Sequence, residues 1–395
     1  MTLKKVIGKL HLWLGFSSGL VVFIIALTGC LYAFKTEIEN VTQPYRFVES
    51  RKEESLTPSR LKTIAEGQLP GKKIHAVLYE DNGRAAQVIF YNAEPDYYYY
   101  YIFINPYTGQ VLKVKNMDED VFQFILDGHF YLWLPHHIGQ PVAATATLIF
   151  VIMMLTGLIL WWPKNKASSK QRFTIRWNAR WRRKNFDLHS VVGFYVTWIA
   201  IILAVTGLVW GFQWFARTWY AVTGGKKSME YYEPMSDTTK VAADNKPSID
   251  KVYEKMLTEY PKATAIEVHI PTDDKTSIAA NANPDPETYW KRDFRYFDQN
   301  TLEELSVDHI YGRFDNTSSA DKLFRMNYDI HVGAILGLSG KILVFFASLF
   351  CASLPVTGFC LWWGRRHKRR ISLIEKSEKS LKKSMFRPSL TGHDQ

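Results

Sequence analysis

The chain has 395 residues, a net charge of +11 and three cysteines, which allows two or three domains and excludes a disulfide-built scaffold. Its mean hydropathy of −0.15 is typical of soluble proteins, but this value averages polar stretches with four long apolar runs. Each run is long enough to cross the roughly 30 Å hydrocarbon core of a bilayer as a helix. The sequence therefore predicts a membrane protein with spans at residues 12–34, 141–163, 191–215 and 339–363.

Basic residues flank these runs, and they predict the orientation of the chain. Residues 164–184, between the second and third runs, contain nine Lys or Arg and no acidic residue. Lysines also precede the first run, and a basic stretch at residues 365–370 follows the fourth. Because cytoplasmic segments are enriched in Lys and Arg, we expect both termini and the 164–184 loop in the cytoplasm. The basic charge is thereby explained without nucleic-acid binding.

Two polar segments separate the first run from the second and the third run from the fourth. Both carry helix and strand patterns, which predict one α+β domain in each segment. For the first domain we predict a helix that begins at Thr57-Pro58, a turn at 105–110, and strands at 74–79, 86–91, 97–104 and 111–114. For the second we predict a helix at 248–259 and strands at 265–270, 294–297 and 302–307.

Each apolar run ends in the same dipeptide, a Thr followed by a Gly, and a histidine stands before each copy. The histidine precedes the Thr by 17 residues for the first and third copies, and by 27 and 26 residues for the second and fourth. This alternation indicates that a unit of two membrane helices has been duplicated. In chain order, the dipeptides and their histidines are Thr28-Gly29 with His11, Thr156-Gly157 with His129, Thr206-Gly207 with His189, and Thr357-Gly358 with His331.

The predicted orientation turns these spacings into depths in the membrane. The first and third helices run outward, so His11 and His189 enter at the same cytoplasmic level. The second and fourth helices run inward, so His129 and His331 both belong to the far side, on short segments ahead of the continuous runs. Each pair takes one histidine from each half, and a twofold axis along the membrane normal would bring its members together.

Two imidazoles are a suitable axial ligand set for a haem that transfers electrons. The sequence therefore predicts two b-type haems, one held by His11 and His189 and the other by His129 and His331. The glycine of each dipeptide lies at the level of one pair, where it lets a backbone approach a flat macrocycle or another helix. The predicted positions are Gly29 and Gly207 beside the far pair, and Gly157 and Gly358 beside the cytoplasmic pair.

Three phrases of the sequence resemble one known family, the PepSY-associated transmembrane proteins, also called iron-regulated membrane proteins. They are KLHLWLG at residues 9–15, FINPYTGQVL at 103–112 and DIHVG at 329–333. The resemblance covers nearly the whole chain. It implies an α-helical integral membrane protein with four transmembrane helices in two duplicated pairs and two α+β PepSY-like extramembrane domains. The expected segments are 1–35, 36–125 (first PepSY-like domain), 126–163, 164–184, 185–216, 217–325 (second PepSY-like domain), 326–364 and 365–395.

The resemblance also implies a function, because the family includes a ferric-siderophore reductase. We expect a haem-dependent oxidoreductase of the bacterial inner membrane that passes electrons to a periplasmic ferric chelate or siderophore. Reduction releases the metal, since hard oxygen ligands hold Fe(III) better than Fe(II). The sequence has no GxGxxG motif after a strand, so quinol or a separate cytoplasmic reductase is the expected donor.

Two other functions are compatible with the sequence. PepSY modules elsewhere are linked to signalling and peptidase regulation, and in a non-catalytic protein of that kind the four histidines would be structural. A transporter could use the repeats for alternating access, but the spans lack the mid-membrane charges that a substrate site needs. No hydrolase motif is present.

The remaining histidines and one tyrosine run leave alternatives open. His136 and His137 follow His129 closely, and they are either interfacial residues or ligands, on the substrate side or in place of His129. The run Tyr97–Tyr101 either is buried against the helix and contacts a membrane surface or a partner, or forms a stacking surface for an aromatic iron chelate. Three further histidines are expected to be ordinary and unclustered, namely His75, His269 and His309.

Overall fold

A computed structural model of the protein describes residues 2–385, apart from residues 52, 82, 94, 164–168, 170, 171 and 241–244. In that part of the chain, four helices are long and apolar enough to cross a membrane, as predicted. They are Leu3–Tyr32, His136–Trp161, Trp181–Gly211 and Ala334–His367. Part of the predicted basic loop (164–168, 170 and 171) and the end of the predicted tail (386–395) lie outside the described residues.

The spans account for most of the helical residues, and shorter helices precede or follow them. The third span is interrupted by a π-helical turn at Leu188–Val192 between α6 and α7. The α-helices are, in chain order, α1 (Leu3–Tyr32), α2 (Lys35–Thr42), α3 (Pro58–Glu66), α4 (Val121–Tyr131), α5 (His136–Trp161), α6 (Trp181–Asp187), α7 (Gly193–Gly211), α8 (Gln213–Val222), α9 (Ser248–Glu259), α10 (Ser319–Arg325), α11 (Asn327–His331) and α12 (Gly337–Met385).

The four spans pack around a core of small and medium-sized side chains. Only 28–39% of the most apolar window of each span is buried inside the protein, which leaves most of its surface for contact with lipid. Small residues allow close approach of membrane helices, which gain packing energy in a solvent as apolar as their own side chains. The buried core residues are Met154, Val196, Ala200, Ala204, Ala347 and Cys351.

The strands of both polar segments form one sheet, which differs from the predicted pair of separate domains. Neighbouring strands are all antiparallel, and their spatial order is β4-β3-β2-β1-β5-β6-β7-β8. Pairing of β1 with β5 joins the two segments, because it covers two strand edges that would otherwise be exposed. The strands are β1 (Ile74–Glu80), β2 (Ala86–Asn92), β3 (Tyr98–Ile104), β4 (Val111–Asn116), β5 (Ala265–His269), β6 (Ile278–Asn283), β7 (Asp293–Phe297) and β8 (Glu304–Leu305).

Two strands of the second segment depart from the sequence pattern. The pattern predicts no strand at β6, because its sequence IAANAN is rich in residues that disfavour strands. All six residues of β6 are buried, so its position between β5 and β7 overrides its weak propensity. Conversely, β8 covers only Glu304–Leu305 of the predicted strand at 302–307.

Helices α3 and α9 cover one face of the sheet. Leu61 of α3 and Met256 of α9 are fully buried against strand residues such as Val77 and Val268. Each strand alternates its side chains between two faces, so the neighbours of these core residues on β1 and β5 lie on the opposite face.

Two ion pairs of one buried lysine hold the sheet at one end of the helix bundle. The Lys341 ammonium near the start of α12 is 2.6 Å from a carboxylate oxygen of Glu37 and 2.7 Å from one of Glu287. Lys341 is only 5% exposed, so both carboxylates neutralise a charge that would be costly to bury alone. We call the end of the bundle that carries the sheet the sheet side, and we call the opposite end the terminal side.

A second anchor joins the same sheet loop to the helix that ends at His331. The Asp329 carboxylate of α11 accepts backbone N–H bonds from Tyr289 and Trp290, each at 3.0 Å. Asp329 is completely buried. The loop between β6 and β7 is therefore fixed to the bundle next to a predicted site histidine.

The two halves of the sheet domain also meet through Asp250 of α9. Its carboxylate accepts hydrogen bonds from Ser59 N at 2.8 Å and Ser59 Oγ at 2.6 Å, at the N-terminus of α3.

Asp250→Ala leaves these donors without their acceptor, so we expect a loss of about 1–3 kcal/mol in the free energy of unfolding. Thermal unfolding of the detergent-purified chain, followed by circular dichroism, measures it. Glu254→Ala on the same helix is the control, because Glu254 is exposed; equal losses in both variants would contradict the prediction.

Candidate functional site

The structure brings the four predicted histidines together in two pairs. His11 of α1 and His189 of the π-helical turn have ring centroids 6.4 Å apart. His129 of α4 and His331 of α11 have ring centroids 6.0 Å apart. The first pair lies toward the terminal side and the second toward the sheet side. A π-turn widens the helix locally, and such turns are frequent at functional sites.

Both separations suit two ligands on opposite sides of one metal. An imidazole nitrogen binds a metal at about 2.0–2.1 Å, and its ring centre lies about 1.1 Å farther, so opposed imidazoles have centres about 6.2–6.4 Å apart. The observed values of 6.4 and 6.0 Å agree with this geometry to within a few tenths of an ångström. Direct packing of the two rings does not require this distance.

Each histidine is held by the threonine of a Thr-Gly dipeptide on another helix. The Nδ1 atom of the imidazole lies within hydrogen-bond distance of the threonine hydroxyl in all four cases. The four contacts are His11 with Thr156 at 2.9 Å, His129 with Thr28 at 3.3 Å, His189 with Thr357 at 2.9 Å, and His331 with Thr206 at 2.8 Å.

The direction of these bonds determines which ring nitrogen remains available. The four threonine hydroxyls also lie within hydrogen-bond distance of carbonyls three or four residues earlier in their own helices. A hydroxyl carries a single hydrogen, so when it donates to a carbonyl it accepts from Nδ1–H. His129 Nδ1 is also 2.9 Å from the carbonyl of Ile25, which can only accept. Each imidazole is then protonated at Nδ1, which leaves the lone pair of Nε2 available as a donor to a metal.

The glycine after each threonine makes room for the imidazole ring. A Cβ atom placed on the glycine would lie 3.0 to 3.5 Å from the Cε1 atom of the histidine. Any side chain larger than a methyl group would occupy the place of the ring. The four glycine–histidine contacts are Gly29 with His129, Gly157 with His11, Gly207 with His331, and Gly358 with His189. The glycines thus lie beside the pairs to which their depth assigns them.

A cavity of about 440 Å³ adjoins the sheet-side pair. It is lined by both histidines of the pair, by Gly29 and Gly207, and otherwise mainly by apolar side chains of the spans. This volume falls within the usual range of about 300–1,000 Å³ for cofactor and ligand pockets. The cavity, the two imidazoles and the glycines form one continuous site in the bundle.

Two asparagines that the sequence patterns do not single out support this arrangement. Asn185 Nδ2 donates to the carbonyl of Thr357 at 3.0 Å, and Asn327 Nδ2 donates to the carbonyl of Thr206 at 3.0 Å. Both are buried, at 3% and 5% exposure. Each stands four residues before a histidine, so a repeated N-x-x-x-H phrase is the signal that could have identified them.

Aromatic side chains connect the sheet-side pair with the sheet domain. The ring centroid of Trp210 is 5.3 Å from that of His331 and 6.2 Å from that of Tyr328, and Tyr328 is 5.3 Å from Tyr289. Tyr289 is 46% exposed and belongs to the loop that Asp329 anchors. A series of ring contacts therefore links His331 to the exposed Tyr289 on the sheet side.

The other histidines in the described part of the chain do not join these pairs. His136 and His137 begin α5 and are exposed, and it is His129 that faces His331. His309 is fully buried among tyrosines, with Nε2 2.9 Å from the carbonyl of Tyr232. The prediction that the remaining two are unclustered is wrong: pairing of β1 with β5 places the ring centroids of His75 and His269 4.7 Å apart.

Two comparisons with known proteins bear on this arrangement. The family model described as PepSY-associated TM region matches residues 9–365 of the chain. The matched range includes all four paired histidines and all four Thr-Gly dipeptides. A comparison with curated protein sequences gives no significant match.

Two glycine substitutions test the packing of the rings. At Gly29 an added Cβ would lie 3.0 Å from His129 Cε1, whereas at Gly157 it would lie 3.5 Å from His11 Cε1, an ordinary contact. Glycine in a helix costs about 0.5–1 kcal/mol relative to alanine. We therefore expect Gly157→Ala to keep or raise the melting temperature of the detergent-purified chain, and Gly29→Ala to lower it because His129 must shift. The reverse order would show that the rings do not pack as described.

Proposed function

The chain belongs to the PepSY-associated transmembrane family, and from its paired histidines we propose that it is a di-haem membrane oxidoreductase. His11 and His189 hold one b-type haem, and His129 and His331 hold the other. Electrons pass from the terminal side to an acceptor on the sheet side. The observation that carries the proposal is the repeated geometry of two opposed imidazole pairs, each with Nδ1 bonded to the protein and Nε2 available.

The donor set fits haem better than a bare metal ion. Among the described residues, no group of three or more His, Cys, Asp or Glu is arranged to hold a metal ion. A haem needs only two protein ligands, because its macrocycle supplies the other four. When bound, it supplies one-electron redox chemistry at a potential set by its axial ligands and their hydrogen bonds.

The protein contributes positioning and insulation. The four threonines fix the tautomer and the orientation of the imidazoles, as carbonyls or carboxylates do for metal-bound histidines in other proteins. The apolar lining of the sheet-side cavity excludes water. The distance between the two pairs supports electron transfer across the membrane. Gly29, beside the sheet-side pair, is 18 residues from His11 on the same helix, which corresponds to about 27 Å at 1.5 Å per residue.

The acceptor is proposed to be ferric iron held by a chelator, on the sheet side of the membrane. The aromatic contacts from His331 through Trp210 and Tyr328 to the exposed Tyr289 support reduction at this side. Tyr99 and Tyr101, whose hydroxyls are 3.0 Å apart, lie on the sheet face opposite α3 and α9 and offer phenol groups to such a chelate. The alternation of the run thus leaves three tyrosines on this face, whereas Tyr98 and Tyr100 pack into the core beneath the helices.

The donor is proposed to act at the terminal side, in the cytoplasm of a bacterial cell whose inner membrane holds the protein. Near that end, the Lys4 ammonium is 2.8 Å from the carbonyl of Trp162, and Trp177 and Trp181 are 64% and 66% exposed. Basic residues interleaved with exposed indole rings suit a membrane–water interface. Quinol from the bilayer or a cytoplasmic reductase would both reach the His11–His189 pair from this end.

Haem content and its loss on mutation test the proposal. We expect the detergent-purified chain to contain two b-type haems, measured from its absorption spectrum and by pyridine extraction. His11→Ala and His189→Ala should each remove the same haem, and His129→Ala and His331→Ala the other, because each haem needs both axial ligands.

His136→Ala and His137→Ala are the matched controls, since both residues are exposed and outside the pairs. They should retain two haems. A colourless wild-type protein would overturn the proposal and leave a non-catalytic role in signalling or peptidase regulation. Loss of the same haem in His11→Ala and His129→Ala would contradict the pairing.

The threonine bonds predict a spectroscopic effect that is specific to each haem. Thr206→Val removes the hydroxyl that accepts from His331, and Thr357→Val removes the one that accepts from His189. Weaker hydrogen bonding makes the imidazole a poorer donor to Fe(III), so the midpoint potential of the affected haem should rise. Loss of such supporting bonds typically costs about 10–100-fold in metal affinity or activity. Redox titration with electron paramagnetic resonance measures the shift.

Thr197→Val is the control for this prediction. The Thr197 hydroxyl bonds the carbonyl of Gly193 at 2.6 Å in the same helix and contacts no histidine. It should leave both potentials unchanged. An equal shift of both haems in any single variant would show that the threonines act through general packing.

A further inference from the structure

We propose that His75, His269 and Glu267 form a second metal site, which binds a divalent first-row transition ion on the sheet face opposite α3 and α9. The site lies on β1 and β5, the two central strands, where the two polar segments of the chain meet. It is separate from the paired histidines of the bundle. Binding of the ion does not depend on the proposed function, whereas its identification as Fe(II), the product of ferric reduction, rests on that function.

The two imidazoles have the spacing of adjacent ligands. Their ring centroids are 4.7 Å apart. Imidazoles bound to one ion at angles of about 90–110° would have ring centres about 4.4–5.2 Å apart at the usual metal–nitrogen distance. The pairs in the bundle, at 6.0 and 6.4 Å, have the longer spacing of opposed ligands. The two classes of histidine pair thus differ in the coordination angle that each permits.

The carboxylate of Glu267 has one oxygen committed and one free. Oε2 accepts a hydrogen bond from Asn281 Nδ2 at 2.8 Å and from Arg292 at 3.4 Å. Oε1 lies 4.0 Å from Nε2 of His269. Two ligands at neighbouring positions on one ion are about 3.0–3.4 Å apart, so a movement of about 1 Å brings Oε1 and His269 Nε2 to that spacing. The described donors are not preassembled as a three-ligand group. The proposal therefore requires that ion binding supplies the free energy to move the Glu267 side chain.

The other nitrogen of His269 indicates that the ring is oriented for such a role. Nδ1 is buried and makes no hydrogen bond to a described residue, although it lies 3.9 Å from Glu233 Oε1. An unpaired buried polar atom is unfavourable, and a small movement of Glu233 would give this nitrogen an acceptor. Glu233 is itself held by the Tyr231 hydroxyl at 3.0 Å. A carboxylate behind the imidazole is the common outer partner of a metal-bound histidine.

The chemistry of the donors selects the class of ion. Two imidazoles and one carboxylate suit Fe(II) and its first-row neighbours, which bind nitrogen and oxygen ligands of intermediate softness. Glu267 and Glu233 together outweigh the single positive charge of Arg292, so the cluster favours a dication. Mg²⁺ and Ca²⁺ prefer all-oxygen sites and should not compete.

Equilibrium dialysis of the full-length, chelator-treated protein against Zn(II), a redox-inert probe, tests the site. We expect one ion per chain by plasma mass spectrometry, with excess Mg²⁺ unable to displace it. His75→Ala, His269→Ala and Glu267→Gln should each weaken binding by at least about tenfold, and Glu233→Gln by a smaller factor. His137→Ala is the control, because it removes an exposed histidine elsewhere, and it should bind Zn(II) like the wild type.

A second measurement uses only the wild-type chain, so it does not depend on the folding of variants. Bound Zn(II) should protect His75 and His269 from diethylpyrocarbonate, while His137 reacts at an unchanged rate. Absence of Zn(II) binding at micromolar concentrations, or equal binding by all variants, would overturn the proposal. A colourless protein that binds Zn(II) through these residues would retain the metal site and eliminate the reductase. A di-haem protein without Zn(II) binding would do the reverse.

Discussion

The bond between each paired histidine and a threonine of another helix is the interaction on which the architecture depends. It occurs four times, at 2.8 to 3.3 Å. In an apolar interior an imidazole nitrogen without a partner is unfavourable, so each bond restricts where a neighbouring helix can lie and how it is rotated. The glycine that follows the threonine then permits the close approach that the bond requires.

The same bond also determines the protonation state of the other ring nitrogen, Nε2. With Nδ1 engaged, Nε2 has a lone pair that no described residue satisfies, and two such imidazoles lie with ring centroids 6.0–6.4 Å apart at each end of the bundle. A metal between them would offset the unfavourable burial of four imidazoles. The asparagines Asn185 and Asn327 extend the support from the threonine backbone to the helix that carries the histidine. Packing, tautomer and ligand geometry are thus consequences of one repeated contact.

The sheet contributes through its position as well as through its residues. Because β1 pairs with β5, the two polar segments act as a single body that covers one end of the bundle. Lys341 and Asp329 tie the loop before β7 to the helices beside the sheet-side pair. The sheet face that carries Tyr99, Tyr101, His75 and His269 therefore lies on the side of the bundle where an acceptor would be reduced. An ion released there would meet nitrogen ligands suited to its reduced state.

Much of this arrangement follows from the sequence. Spans of about 20 apolar residues and the spacing of histidine to Thr-Gly require no tertiary information, because helix rise converts residue number directly into depth. The grouping of His11 with His189, and of His129 with His331, follows from depth alone. Depth also explains why Gly157 and Gly358 belong with the first pair, although each lies far from its histidine in the chain.

Other features were decided only by tertiary contacts. They depend on how helices and strands lie beside one another, which the depth of a residue in the membrane does not determine. Which threonine hydroxyl bonds the Nδ1 atom of which histidine depends on how each helix is rotated about its own axis. The strand at Ile278–Asn283 exists because its neighbours bury it, in spite of a sequence that disfavours strands. His75 and His269 are separated by nearly 200 residues, and only the choice of which strand edges pair brings them together. Hydrophobic period and spacing are local properties of a chain, whereas strand pairing between distant segments is settled by the free energy of the whole fold.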